Sequence, residues 1–288
     1  MITLHHEHLI VQVSPQGAEL QSIKHIGTGI EYLWQGDAAY WSKRSPVLFP
    51  IVGTLRNDTY EHEGKAYQLG RHGFARDMPF EAVQHNETSA SFILRSSEAT
   101  RERYPFDFVF QVHYKLQNGT LHVGYEVENT GQEPMLFSAG GHPAFNVPLV
   151  PGTQYHDHVL EFDQPETAGR WLLQQGLIDA GTTPLLEQTQ SLPLSPALFY
   201  QDAVVLKQLQ SKRVTLKSNQ HPHGLHFGFE GFPFLGIWAS KDAPFVCIEP
   251  WCGIADSVLH NGQLNEKEGI ETLAPQGNWQ RTWTVTCF

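Results

Sequence analysis

Between Phe106 and Val127 the chain alternates. Phe106, Phe108, Phe110, Val112, Tyr114 and Leu116 interleave with residues such as Gln111, His113 and Lys115. After Asn118-Gly119, Leu121, Val123, Tyr125 and Val127 interleave with His122, Glu126 and Glu128. A period of two puts every apolar side chain on one face of a strand. Asn-Gly tolerates the positive φ angles of a two-residue turn, so an antiparallel hairpin turning at Asn118-Gly119 is predicted. Shorter versions of the pattern recur. Leu9 to Val13, Pro15-Gln16-Gly17 and Leu20 to Ile26 read as strand, turn and strand, and Thr59 to Tyr67 turns at Glu63-Gly64. Phe80 to Val83 and Ser91 to Leu94 flank His85-Asn86-Glu87, and Leu235 to Trp238 and Phe245 to Ile248 flank Ser240-Lys241-Asp242. Helical periodicity is confined to Glu98 to Tyr104, where Pro105 stops it. Many short strands with frequent turns predict an all-β sandwich or barrel. No repeat, low-complexity tract or composition break divides the 288 residues, so one domain over 1–288 is expected.

The bulk numbers narrow the class of partner. Nineteen Lys and Arg against 30 Asp and Glu give a formal charge of −11, a field that opposes nucleic acid and anionic membranes but not a neutral small molecule. No stretch approaches the ~20 apolar residues of a membrane span. Met1 to Val13 interleaves His5, His6, Glu7 and His8 with its apolar residues and lacks the apolar core of a signal peptide. The expectation is a cytoplasmic protein. Cys247, Cys252 and Cys287 form no disulfide framework, and Cys-x4-Cys alone is too sparse for a zinc site.

Four segments break the alternation and gather reactive side chains beside Gly, Pro and aromatics: Trp41 to Gly53, Gly70 to Asp77, Ser138 to Asn146 and Cys247 to Asp256. Together they hold His72, His142 and Glu249, a set suited to proton transfer. Gly140-Gly141 before His142 permits close backbone approach, and Pro143 after it restricts the histidine to extended geometry. Glu249, after Phe245-Val246-Cys247-Ile248 and before Pro250-Trp251, is placed at the end of a buried strand, where desolvation would raise its pKa and make it a better base. Trp251 either joins the core, the commoner role of a tryptophan, or offers its flat face to a ring-shaped ligand such as a sugar. The groups His5-His6-x-His8, His156-x-His158 and His221-x-His223-x-x-His226 lack the Cys or carboxylate partners of a metal site and read as solvated loops and strand faces. GxSxG, HExxH, P-loop and GxGxxG motifs are all absent.

At these segments the sequence resembles the aldose 1-epimerase (galactose mutarotase) family, in its LacX-like branch. The likeness runs in order from about Leu4 to the C-terminus, through Gly-Ala-Glu-Leu, Tyr-Leu-Trp-Gln-Gly, Pro-Val-Leu-Phe-Pro-Ile-Val-Gly, His-Gly-Phe-Ala-Arg-Asp, Gly-Gly-His-Pro-Ala-Phe-Asn and Ile-Glu-Pro-Trp-x-Gly. It implies a large antiparallel β-sandwich (supersandwich) with an open cleft, a catalytic acid at His142, a catalytic base at Glu249 and a substrate-orienting histidine at His72. Arg76 matches an arginine following that histidine, and Asp202 in Phe199-Tyr-Gln-Asp matches an acidic sugar-binding residue. The family's Gly-Arg-x-x-Asn-Arg stretch is broken here as Gly53-Thr54-Leu55-Arg56-Asn57, which leaves either Arg56 or Arg44 for its upstream arginine.

The implied reaction interconverts the α and β anomers of an aldose, here expected to be a neutral sugar. A base removes the C1 hydroxyl proton while an acid protonates the ring oxygen, and rotation about C1–C2 before reclosure inverts the anomer. Only a positioned acid and base are required, so neither metal nor other cofactor is expected. A hexose-6-phosphate 1-epimerase and a non-catalytic sugar-binding or sensing protein are the competing readings. Arg71 and Arg76, bracketing His72, motivate the first, since arginines favour phosphate; against it, Asp77 adjoins Arg76.

Overall fold

The computed structural model describes residues 1–288. The alternating segment forms a hairpin of Phe108–Gln117 and Thr120–Asn129, with Gln117 opposite Thr120. Asn118 (φ 52°) and Gly119 (φ 74°) make the turn. The positive φ at both positions is the type I′ signature, whose twist matches that of the strands. Predicted turns also form at Glu63-Gly64, between Thr59–His62 and Lys65–Gln68, and at Ser240-Lys241-Asp242, between Phe234–Trp238 and Phe245–Cys252. The helix is shorter than expected. Only Glu98–Arg101 is α-helical, started by Ser97 and Thr100 in a capping box.

Strand accounts for 52% of residues and helix for 7%. Fifteen strands join one antiparallel sheet, in which neighbours along the main path run from Val47–Leu48 at one end to Glu81–Asn86 at the other. The three N-terminal strands make a separate sheet. The long sheet is folded over, so that strands remote along its path meet face to face. Phe49, beside the first strand of the path, stacks on Phe110 near its far end with ring centroids 4.3 Å apart. Gly141 approaches Tyr125 and Trp283 so closely that a Cβ there would lie 2.6 Å from the Tyr125 hydroxyl. The two layers enclose a continuous core of 70 buried residues, which makes the architecture a β-sandwich. No helix is long and apolar enough to cross a membrane.

A hairpin with no clear signal in the sequence dominates the lower edge of the cleft. His158–Gln174 and Leu177–Pro193 each run 17 residues, with several register shifts between them. Its tip is pinned by Ile178, whose amide donates to Asp256 O (2.8 Å) and whose carbonyl accepts from Val258 N (2.9 Å). A second cluster of nine buried residues, including Leu48, Ile178, Val205 and Trp251, fills the space between this hairpin and the sheet and forms the cleft floor.

Candidate active site

The strand Phe245–Cys252 is buried along its whole length. Alternation directs Ile248 and Cys252 into the main core, and Glu249 and Trp251 into the cleft. Glu249 lies within this strand and not at its end, because the strand continues through Pro250 and pairs it with Leu235. Beside it run Ala139–Gly141 and Ala144–Asn146. One register pairs Gly140 with Trp251 and Ala144 with Cys247, which places His142 directly across from Glu249. The ladder is interrupted between those pairs, where Pro143 has no N–H to donate, and the His142 amide turns instead to Pro46 O (3.1 Å). Two residues distant in sequence are therefore cross-strand neighbours, the closest non-covalent relation a sheet offers.

His142 Nε2 lies 3.3 Å from Glu249 Oε2. The imidazole stacks on Trp41, with centroids 4.8 Å apart, and meets Trp238 edge-on at 5.6 Å. Burial among these rings pulls His142 down to about 3, and the positive Arg76 and Arg71 add to the effect. The same burial pushes Glu249 well above the usual carboxylate range, partly opposed by Arg71. Opposite shifts in two touching groups are what acid–base chemistry uses.

His72 faces His142 edge-on at 5.7 Å. Its backbone sits in the left-handed region (φ 68°), uncommon for a residue with a side chain. A reciprocal pair of hydrogen bonds holds it there: its amide donates to Gly53 O (2.9 Å), and its Nδ1 accepts from the Gly53 amide (3.1 Å). Nδ1 is thus the acceptor and Nε2 carries the proton, presented to the cleft. Gly53 cannot be replaced without disturbance, since at φ 77° its Cβ would lie 2.4 Å from Ala255 N. Burial lowers the His72 pKa, with His142 and Arg71 contributing, so the ring is a neutral donor.

The cleft holds about 710 Å³ of empty space, its open mouth included. His72, Arg76, His142, Asp202, Glu249 and Trp251 all line it. Arg44 and Arg56 do not. The Arg44 guanidinium is spent on Gln21 O (2.7 Å) and Gln35 Oε1 (3.1 Å), and that of Arg56 donates to His260 O (2.9 Å) in a separate depression. Arg71 supplies the guanidinium that neither of them brings, with its Nη2 3.9 Å from Asp202 Oδ2. Its position beside His72 was the available signal. Trp41 and Trp238 were visible only as aromatic residues, and Leu173, Gly176 and Ile178 carried no signal, because the long hairpin alone brings them to the cleft. As for metal ligands, His142, Cys247 and Glu249 offer three donor-type atoms within 4.8 Å of one another.

The model of the family described as aldose 1-epimerase matches residues 1–269. This chain belongs to the aldose 1-epimerase family. It is 36% identical to the chromosomal LacX protein of Lactococcus lactis subsp. lactis over 99% of this chain and 98% of that one. The crystal structure of a galactose mutarotase related enzyme from Lactobacillus acidophilus superposes with a TM-score of 0.96 at 36% identity, covering 100% and 97% of the two chains. A Salmonella typhimurium protein provisionally named a glucose-6-phosphate 1-epimerase is 31% identical over 86% of this chain and 82% of its own. Membership makes the chain an enzyme of an isomerase family that acts on sugars.

Proposed function

We propose that this epimerase-family protein interconverts the α and β anomers of a neutral aldose by acid–base ring opening, with His142 as acid and Glu249 as base. The observation that carries the reading is the buried contact between His142 and Glu249 at the cleft floor. In the reactive form Glu249 is ionised and His142 protonated. Glu249 takes the O1 proton as His142 gives its own to the ring oxygen; the C1–O5 bond breaks and C1=O1 forms. After rotation about C1–C2, His142 recovers the proton from O5 and Glu249 returns one to O1. The pair therefore holds one proton throughout. In the free site burial favours that proton on Glu249, facing a neutral imidazole. Substrate binding must move it to His142. The 3.3 Å separation is slightly longer than a hydrogen bond, as catalytic contacts in unliganded enzymes often are, and suits direct transfer. The positive charge of Arg71 favours an ionised Glu249.

The neutral His72 donates to a sugar oxygen, Asp202 accepts from hydroxyls, and Trp251 supplies an apolar face over Gly236. The carboxylate of Asp202 within the cleft disfavours a dianion. A second reading, a hexose 6-phosphate, has one observation in its favour. Arg71 and Arg76 converge on the cleft with their nearest carboxylates at 3.9 and 3.7 Å, and Asp77 is closer to Lys43 (3.1 Å) than to Arg76. Coupled or polarimetric assays on the α-anomers of glucose, galactose and glucose 6-phosphate decide between the two. A preference for the phosphate ester above about tenfold in kcat/KM, ~1.4 kcal/mol, would overturn the neutral assignment.

A further inference from the structure

A third group touches the acid–base pair and has no part in the proposed reaction. Cys247 precedes Glu249 by two positions on the same strand, so both side chains leave the same face. It pairs across the ladder with Ala144 and carries a free, fully buried thiol. Its Sγ lies within 4.8 Å of the donor atoms of both His142 and Glu249.

Three features make this set more than a chance cluster. The first is spacing. Ligands on tetrahedral zinc at about 2.0–2.1 Å are separated by roughly 3.4 Å, and His142 Nε2 and Glu249 Oε2 stand 3.3 Å apart. A thiolate bound at about 2.3 Å would lie roughly 3.6 Å from each, and Cys247 Sγ, within 4.8 Å of both, reaches that spacing by closing at most about 1.2 Å. The second is an unmet valence. Glu249 Oε2 is fully buried and makes no hydrogen bond, a costly state for a carboxyl oxygen. The third is the open side. The cleft provides a fourth position for water or a substrate oxygen, while the other three are walled by protein.

We infer that His142, Cys247 and Glu249 form a latent site for a thiophilic divalent cation of the zinc class, and that occupancy blocks turnover by holding both proton-transfer groups. One thiolate, one imidazole and one carboxylate select zinc, cobalt or cadmium over magnesium or calcium. On binding, the thiol and the carboxyl each give up any proton they carry to the solvent. Arg71 and Arg76 repel the cation. Only the inhibition rests on the acid–base assignment; the binding does not.

Cobalt(II) titration of the metal-free protein tests binding without reference to activity. A thiolate-to-cobalt charge-transfer band in the near ultraviolet is expected in the wild type and in Cys287→Ala, and none in Cys247→Ala. Zinc should inhibit the wild type in proportion to occupancy. Cys247→Ala should keep its basal kcat/KM within about threefold and withstand at least tenfold more zinc. Glu249→Gln, which preserves shape, should weaken the cobalt band and so checks the site should Cys247→Ala fold poorly. Absence of the band in the wild type, or its persistence in Cys247→Ala, overturns the proposal, as does equal zinc sensitivity of the two proteins. An inactive protein that still shows the Cys247-dependent band would instead overturn the acid–base reading and leave the cation site standing.

Discussion

Replacing Glu249 by Gln should slow anomerisation by at least 10²–10⁴-fold, the usual contribution of a positioned base, yet stabilise the fold above neutral pH. The second effect follows from proton counting. The unfolded chain titrates near the ordinary values of 6.5 for His142 and 4.5 for Glu249. In the folded protein burial lowers His142 to about 3 and raises Glu249 well above its ordinary 4.5, so the pair keeps one proton over the range between the two. Between pH 4.5 and 6.5 the unfolded chain also holds one proton on these groups, and stability is flat. Below 4.5 it holds two, and stability is lost as pH falls toward 3. Above 6.5 it holds none, and for as long as folded Glu249 keeps its proton stability falls by up to about 1.4 kcal/mol per pH unit. In Glu249→Gln neither state binds a proton there above pH 6.5, and this slope disappears. The variant should therefore gain on the wild type as pH rises above 6.5, by up to about 1.4 kcal/mol per unit until Glu249 itself ionises in the fold. Urea unfolding of both proteins at pH 6, 7 and 8 measures the gap. A gap that does not change with pH would mean that the pair has already lost its proton at neutrality, and the assignment of acid and base would fail. Infrared difference spectra of the carboxylic C=O stretch, absent in the variant, report which partner holds the proton.

His142→Asn should lose activity to a similar extent with its circular dichroism unchanged; near wild-type turnover would remove His142 from catalysis. Chelators should not lower kcat/KM of the purified enzyme, because neither proton transfer calls on a metal; a loss restored by added metal would contradict this. Arg71→Ala should raise KM at least tenfold, whereas Arg44→Ala and Arg56→Ala, whose guanidinium groups serve other loops, should leave KM within about twofold in the same assay. Gly73→Ala should cost about 2–5 kcal/mol in chemical denaturation, since a Cβ at φ 71° would lie 2.3 Å from Phe49 O.

Local chemistry was enough to read the Asn118-Gly119 hairpin, since alternation and a turn that wants positive φ specify register within a short span. It was enough, too, to single out His72, His142 and Glu249, because histidine and carboxylate set among glycine, proline and aromatics interrupt a strand pattern visibly. The long hairpin of His158–Gln174 and Leu177–Pro193 escaped, because Pro165, Gly169 and repeated register shifts blur its alternation and one side of it is largely exposed. Arg76 was legible, but the second arginine of the cleft escaped for a different reason. Arg44, Arg56 and Arg71 are alike as residue types, and only the fold shows that Arg44 is held by Gln21 and Gln35, that Arg56 is held by His260 in a separate depression, and that Arg71 stands at the cleft. The contact between His142 and Glu249 also belonged to the tertiary structure alone. Strand pairing between distant segments sets that register, and burial among Trp41, Trp238 and the cleft floor, which no local sequence encodes, moves their proton affinities in opposite directions.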